Sequence, residues 1–139
     1  MIQMKKLVFF AALVMITTAG FSQTATATSV PKADVAVAVF ETQNYDFGKI
    51  KQGTPATHEF TFTNKSKVTM VITNVQASCG CTTPDWTKDP IPPGGSGFVK
   101  ATFNAAGLGA FDKSVTVMAN VESGVTILRI HGEVAAPNN

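Results

Sequence analysis

Hydrophobic and polar residues alternate with a period of two through much of this chain. Thr57 to Thr63 is the cleanest case: Phe60 and Phe62 point one way, Glu59, Thr61 and Thr63 the other. That period marks a half-buried β-strand. Gly97 to Asn104 repeats it, with Val99, Ala101 and Phe103 set against Phe98, Lys100 and Thr102. Val68 to Val75 reads as another strand, with Met70, Ile72 and Asn74 on one face and Val71, Thr73 and Val75 on the other. Asp34 to Glu41 alternates Ala and Val before Phe40. Phe111 to Asn120 and Val125 to Val134 form the last two strands, joined by a compact hairpin turn at Glu122-Ser123-Gly124.

The punctuation between these runs fits short strands. Gly48 and Gly53 bracket a turn region, Asn64 to Lys67 is a turn by composition, and Ala105 to Ala110 is a glycine-bearing loop. Pro92-Pro93-Gly94-Gly95 is a strong turn signal. Pro84, Pro90, Pro92 and Pro93 exclude helix and central strand through their stretch. No amphipathic helix follows the N-terminal segment. About seven short strands in roughly 100 residues predict an all-β fold, a single immunoglobulin-like β-sandwich. A small antiparallel barrel is the structural alternative.

The N-terminus changes the charge picture. Lys5 and Lys6 precede an apolar run, Leu7 to Thr18, shorter than the roughly 20 residues a transmembrane helix needs. Gly20 and Ser22 are small residues at the −3 and −1 spacing of a signal-peptide cleavage site. The expected organisation is a signal peptide at 1–22, a flexible Thr/Ala/Ser-rich spacer at 23–34, the β-sandwich at 35–135 and a tail at 136–139. The mature chain would carry no transmembrane helix. An uncleaved membrane anchor is the competing reading, disfavoured by the short apolar run. The whole chain holds 11 Lys+Arg and 9 Asp+Glu; losing Lys5 and Lys6 leaves bases and acids balanced. The basic stripe of a nucleic-acid binder is therefore missing. Export places the chain in the periplasm or at the cell surface, in oxidising surroundings. Two cysteines are too few for a disulfide scaffold, and a hydrophobic share of 45% with ten Phe suits an ordinary core.

The candidate chemistry centres on Ser78-Cys79-Gly80-Cys81-Thr82-Thr83-Pro84, which holds both cysteines. Three roles compete. The thiols pack as small hydrophobes around a sharp turn, where Gly80 is free to take φ > 0. Alternatively they pair with each other, since residues i and i+2 of a strand lie about 6.6 Å apart and a bend at Gly80 brings them within the roughly 4.4–6.8 Å a disulfide allows. So small a ring would be strained and readily reduced, which suits redox work, although no Lys, Arg or His is evident nearby to lower a thiol pKa. The third role is soft-metal binding: two thiolates hold Cu(I), with His58, His131, Met70 and Met118 contributing only if the fold brings them close. Beyond the cysteines, Asp85 and Asp89 in the proline-rich loop read as ordinary turn chemistry rather than an acid–base pair. His58 and His131 lie in strands with no nucleophile beside them in sequence. Trp86 is either a binding-surface aromatic or packing over the loop.

Phe47-Gly48, Phe60-x-Phe62-x-Asn64, Ser78-Cys79-Gly80-Cys81-Thr82, Pro90-Ile91-x-Pro93-Gly94, Phe103, Lys113 and Gly132-x-Val134 occur in that order. Together they resemble a bacterial family of exported Ig-like domains, domain-of-unknown-function family fifteen-seventy-three, over about Phe40 to Val134. The Cys-Gly-Cys-Thr element followed by the Pro93-Gly94 turn carries most of that resemblance. It implies an Ig-like fold similar to the major-sperm-protein-type domains of cilium- and centrosome-associated proteins, and it implies export. It implies no activity. One departure lies at Lys65, Ser66 and Lys67, where the family often has a glycine. The expected function is a non-enzymatic interaction or structural module of the cell envelope, with an unidentified envelope protein or surface component as partner and no cofactor. The rival is redox or copper handling by Cys79 and Cys81. Exposure of the two sulfurs separates them.

Overall fold

A computed structural model describes residues 34–137. The predicted signal segment, the spacer up to residue 33 and the last two tail residues lie outside the described residues. Eight strands follow in order: β1 Ala38–Phe40, β2 Asn44–Lys51, β3 Ala56–Asn64, β4 Ile72–Ala77, β5 Thr82–Trp86, β6 Ser96–Phe103, β7 Gly109–Ala119 and β8 Val125–Ala135. They form two four-stranded sheets, ordered β1-β3-β6-β5 and β2-β8-β7-β4. This is an immunoglobulin-like sandwich whose first strand is split between the sheets.

Alternation explains the core. Phe60 and Phe62 of β3 and Val99, Ala101 and Phe103 of β6 are buried against Val115, Val117, Leu128 and Ile130 of the facing sheet. Each large side chain fully buried this way contributes roughly 1.5–3 kcal/mol.

Two strands are absent from the sequence-based expectation. β2 falls in the segment read as a turn region. The chain leaves β1, which runs antiparallel to β3, and crosses to the other sheet to run parallel to β8. The alternation is broken there because Asp46 Oδ1 accepts from the Gly48 amide at 2.7 Å, and the register shifts between Asp46 and Lys49. β5 contains Pro84. It pairs only with β6, at the sheet edge, where a missing amide donor is tolerated.

The expected faces of Val68 to Val75 need correction. A register shift between Ile72 and Asn74 reverses the phase, as a bulge does. Val75 joins Met70 and Ile72 in the core, and Asn74 is exposed. Met70 belongs to an isolated bridge with Ile91 rather than to the strand.

The registers define two ends of the sandwich. At one, Phe103 pairs with both Ala56 and Thr82. At the other lie Asn64 and the Pro92–Gly95 turn. The nine residues of β3 separate them by roughly 26 Å. Asn64 is fully buried. Its Nδ2 donates to the carbonyls of Val68 (2.8 Å), Ile91 (3.0 Å) and Pro92 (3.3 Å). Its Oδ1 accepts from the Ser66 amide (3.1 Å) and hydroxyl (2.6 Å). Ser66 thus closes the turn after β3. The Asn64 carbonyl accepts from the Gly94 amide, and its own amide donates to Gly95 O, both at 2.8 Å. Gly94 sits at φ 76°, a conformation costly for any side-chain-bearing residue.

Candidate functional site

The other end carries the cysteines. The link from β4 to β5 is tied to β7 by the Ser78 amide on Ser114 O (2.8 Å) and the Ser114 amide on Ser78 Oγ (3.1 Å). It is tied to the end of β6 by the Asn104 amide on Cys81 O (3.0 Å). Between these ties Cys79 and Cys81 form a disulfide with their Cα atoms 5.3 Å apart, inside the roughly 4.4–6.8 Å window. Gly80 is not among the residues in the left-handed region, so the expected φ > 0 is not used here.

Both cysteines are half-buried. Neither residue is sealed from solvent or fully open to it. Thr82 is buried, 4% exposed, with Oγ1 3.9 Å from Cys79 Sγ. Cys81 packs against the core and lines a groove of about 290 Å³ with Phe103, Asn104, Leu108, Phe111 and Lys113. The Phe103 and Phe111 rings stack at 4.1 Å. Leu108 is 60% exposed. Lys113 shares the inward parity of buried Phe111 and Val115 on β7 and is half-buried; it is the one charged residue lining the groove.

The groove loop is held from outside. Gly53 N donates to Ala105 O and Gln52 Nε2 to Ala106 O, both at 2.9 Å. Ala105 is fully buried at φ 51°. A non-glycine residue there costs of order 1–3 kcal/mol, sustained only where the surroundings over-determine it. A larger concavity of about 510 Å³ opens at Lys49, Ile50, Lys51, Ala135 and Ala136. Its charged lining residues are Lys49 and Lys51, with no acid and no cysteine among them; the smaller groove is the one that Cys81 lines.

The remaining candidates lie elsewhere. Trp86 is four residues along β5 from Thr82, roughly 13 Å; it packs on the core with Lys88 Nζ 2.8 Å from its ring centroid. Pro93 and Gly94 belong to the Asn64 end. Asp85 is engaged by Lys88 at 3.7 Å and by the Trp86 amide at 2.9 Å, and Asp89 is exposed. His131 faces Asp46 at 3.6 Å. His58 stacks on Tyr45 at 3.6 Å, its Nε2 buried without a hydrogen-bond partner. Desolvation lowers its pKa from the ordinary 6.5, partly opposed by Glu59. Met70 is buried in the core and Met118 contacts Asn74. Among the described residues no group of three or more His, Cys, Asp and Glu side chains is placed to hold a metal ion. A disulfide also removes the thiolates that Cu(I) binding needs.

Lys113, far from the cysteines in sequence, lines the same groove as Cys81, a placement that spacing along the chain does not suggest. Its place in the family-like order of residues was a signal without a role attached. Leu108 left no signal.

The chain matches the family described as "Protein of unknown function (DUF1573)" over residues 38–134. No curated protein matches it. Among solved structures it is similar to a protein of unknown function from Porphyromonas gingivalis W83, with a TM-score of 0.65 and 16% identity over 73% of this chain and 48% of that one; it therefore spans about half that structure's length. It is also similar to the ASH / PapD-like domain 7 of human CEP192, TM-score 0.62, 9% identity, 75% of this chain and 89% of that one. A third likeness is to the Vibrio cholerae VesB protease, TM-score 0.59, 17% identity, 72% of this chain and 32% of that one. At these identities the likeness is one of fold, and the CEP192 domain agrees with the fold expected from the resemblance.

Proposed function

We propose that this chain, which belongs to the DUF1573 family, is an exported, non-enzymatic interaction module of the cell envelope that receives a partner segment in the groove beside Cys79 and Cys81. The observation that supports this is the makeup of the groove: an exposed Leu108, a stacked Phe103–Phe111 pair and a single cation, Lys113, with no acid among the lining residues. Apolar surface with one convergent charge suits an extended peptide bearing an apolar side chain beside an acidic one. Export is supported by the leader-like N-terminus and by a disulfide, which persists in oxidising compartments.

The test is an NMR titration of the exported chain with short Leu-Glu-containing peptides. Amide shifts confined to residues 104–113, weakened at least roughly tenfold by Leu108→Asp or Lys113→Glu, support the reading. Shifts elsewhere, or none, refute it.

A further inference from the structure

We infer that the Cys79–Cys81 disulfide is exchange-active: it accepts two electrons from a protein dithiol, with Cys81 as the attacked sulfur and Cys79 as the leaving one. The inference rests on the groove being a partner site and adds the chemistry carried out there.

Three placements carry it. Cys81 lines the groove and Cys79 does not. A thiolate lying in the groove therefore meets Cys81 before Cys79, and in-line attack on the Cys81 sulfur expels the sulfur beyond it. Lys113 is the groove's one charged lining residue; it favours the ionised nucleophile over the thiol and draws it in. Thr82 is buried with its hydroxyl 3.9 Å from Cys79 Sγ. That hydroxyl donates to the thiolate as it forms, and a hydrogen bond to a charged acceptor is the stronger kind. The Cys-Gly-Cys-Thr order thus supplies an electrophilic sulfur, a leaving sulfur and a donor for the leaving sulfur. A ring closed over three residues also withholds little chain entropy from the unfolded state, so stapling alone explains the bond poorly.

The electrons balance as follows. A substrate thiolate forms a bond to Cys81 Sγ while the Sγ–Sγ bond breaks, its electron pair leaving on Cys79 Sγ, which then takes a proton from solvent. The substrate's second thiolate attacks the substrate sulfur of this mixed disulfide, and Cys81 leaves as a thiolate. The substrate dithiol is oxidised to a disulfide, and Cys79 and Cys81 end as a dithiol. The substrate class is an extended segment with two cysteines flanked by apolar residues, which the exposed Leu108 side chain accepts.

The experiment mixes the full chain, disulfide intact, with a Leu-flanked two-cysteine peptide. The reaction is quenched with acid, alkylated and weighed over time, and NMR follows groove binding in parallel. Peptide should be oxidised one-for-one as Cys79 and Cys81 become alkylated. Lys113→Gln should slow the reaction roughly tenfold and flatten its salt dependence. Thr82→Val should slow it by a similar factor, with Thr82→Ser restoring it. Cys79→Ser, offered the peptide as a mixed disulfide with a small thiol, should hold it on Cys81. Lys113→Gln and Thr82→Val keep both cysteines, so the test stands even where a cysteine variant fails to fold. Peptide that binds the groove but leaves the disulfide intact overturns the inference and spares the interaction reading. Peptide that neither binds nor reacts overturns both. Faster trapping on Cys79 in the matching Cys81→Ser variant than on Cys81 in Cys79→Ser, or rates unchanged in both retained-disulfide variants, overturns the assigned roles.

Discussion

The two ends of the sandwich are held by opposite means. At the Asn64 end a neutral, fully buried side chain satisfies three carbonyls and is itself satisfied by Ser66. At the cysteine end a covalent bond joins residues already close in sequence, while Leu108 stays exposed and Ala105 sits in the left-handed region. The first arrangement links segments far apart along the chain and leaves nothing for a ligand. The second links almost nothing and leaves a groove. The covalent bond is thus the weaker fastener, and the tight polar network and the groove lie at opposite ends of one core.

The sharpest way to break this comparison is Asn64→Ala. It strands several buried carbonyls, and the expected cost is about 3 kcal/mol, read from the denaturant midpoint. Replacing both Cys79 and Cys81 with Ala should cost only about 1–2 kcal/mol, because the loop released is so short. Equal losses in the two variants would mean that the two ends are held with equal strength. A finer contrast comes from glycines at the two ends. Gly94→Ala forces a side chain into φ 76° and should cost about 1 kcal/mol. Gly80→Ala places its Cβ in open space and should stay within about 0.5 kcal/mol of wild type.

The smallest effect concerns pH. His58 has its folded pKa lowered by desolvation, with Glu59 opposing. A lowered folded pKa means the unfolded chain binds the proton more readily. The contribution of neutral His58 is therefore present above 6.5 and is lost as pH falls through the folded pKa. Thermal melts should show stability declining in that direction, with His58→Phe flattening the slope. An unchanged slope would remove His58 from the account.

Much of the fold was legible because alternation reports burial directly. Phe60, Phe62, Val99, Ala101 and Phe103 are where the pattern put them. The misses share a cause. β2 and β4 carry register shifts that reset the period, and β5 hides behind Pro84, which reads as a breaker and is tolerated at an edge. At the site, the cysteines are visible in sequence because they are chemically distinctive and adjacent. Lys113 stands in the family-like order without a role, because strand pairing brings it to the groove, and Leu108, in the loop before β7, leaves no signal. Asn64 reads as a turn residue, and only the fold reveals how many carbonyls converge on it.

The split first strand has a further consequence, which is mechanical. β2 runs parallel to β8, from Asn44 beside Arg129 to Lys51 beside Ala135. Once β1 has parted from β3, tension applied through handles before Asp34 and after Ala135 pulls these neighbours past each other along their length. Their ladder is then loaded in shear, and its hydrogen bonds must yield together rather than unzip singly. Pulled that way, the domain should resist as a clamp, whereas the same ladder peeled from one end would part bond by bond at far lower force.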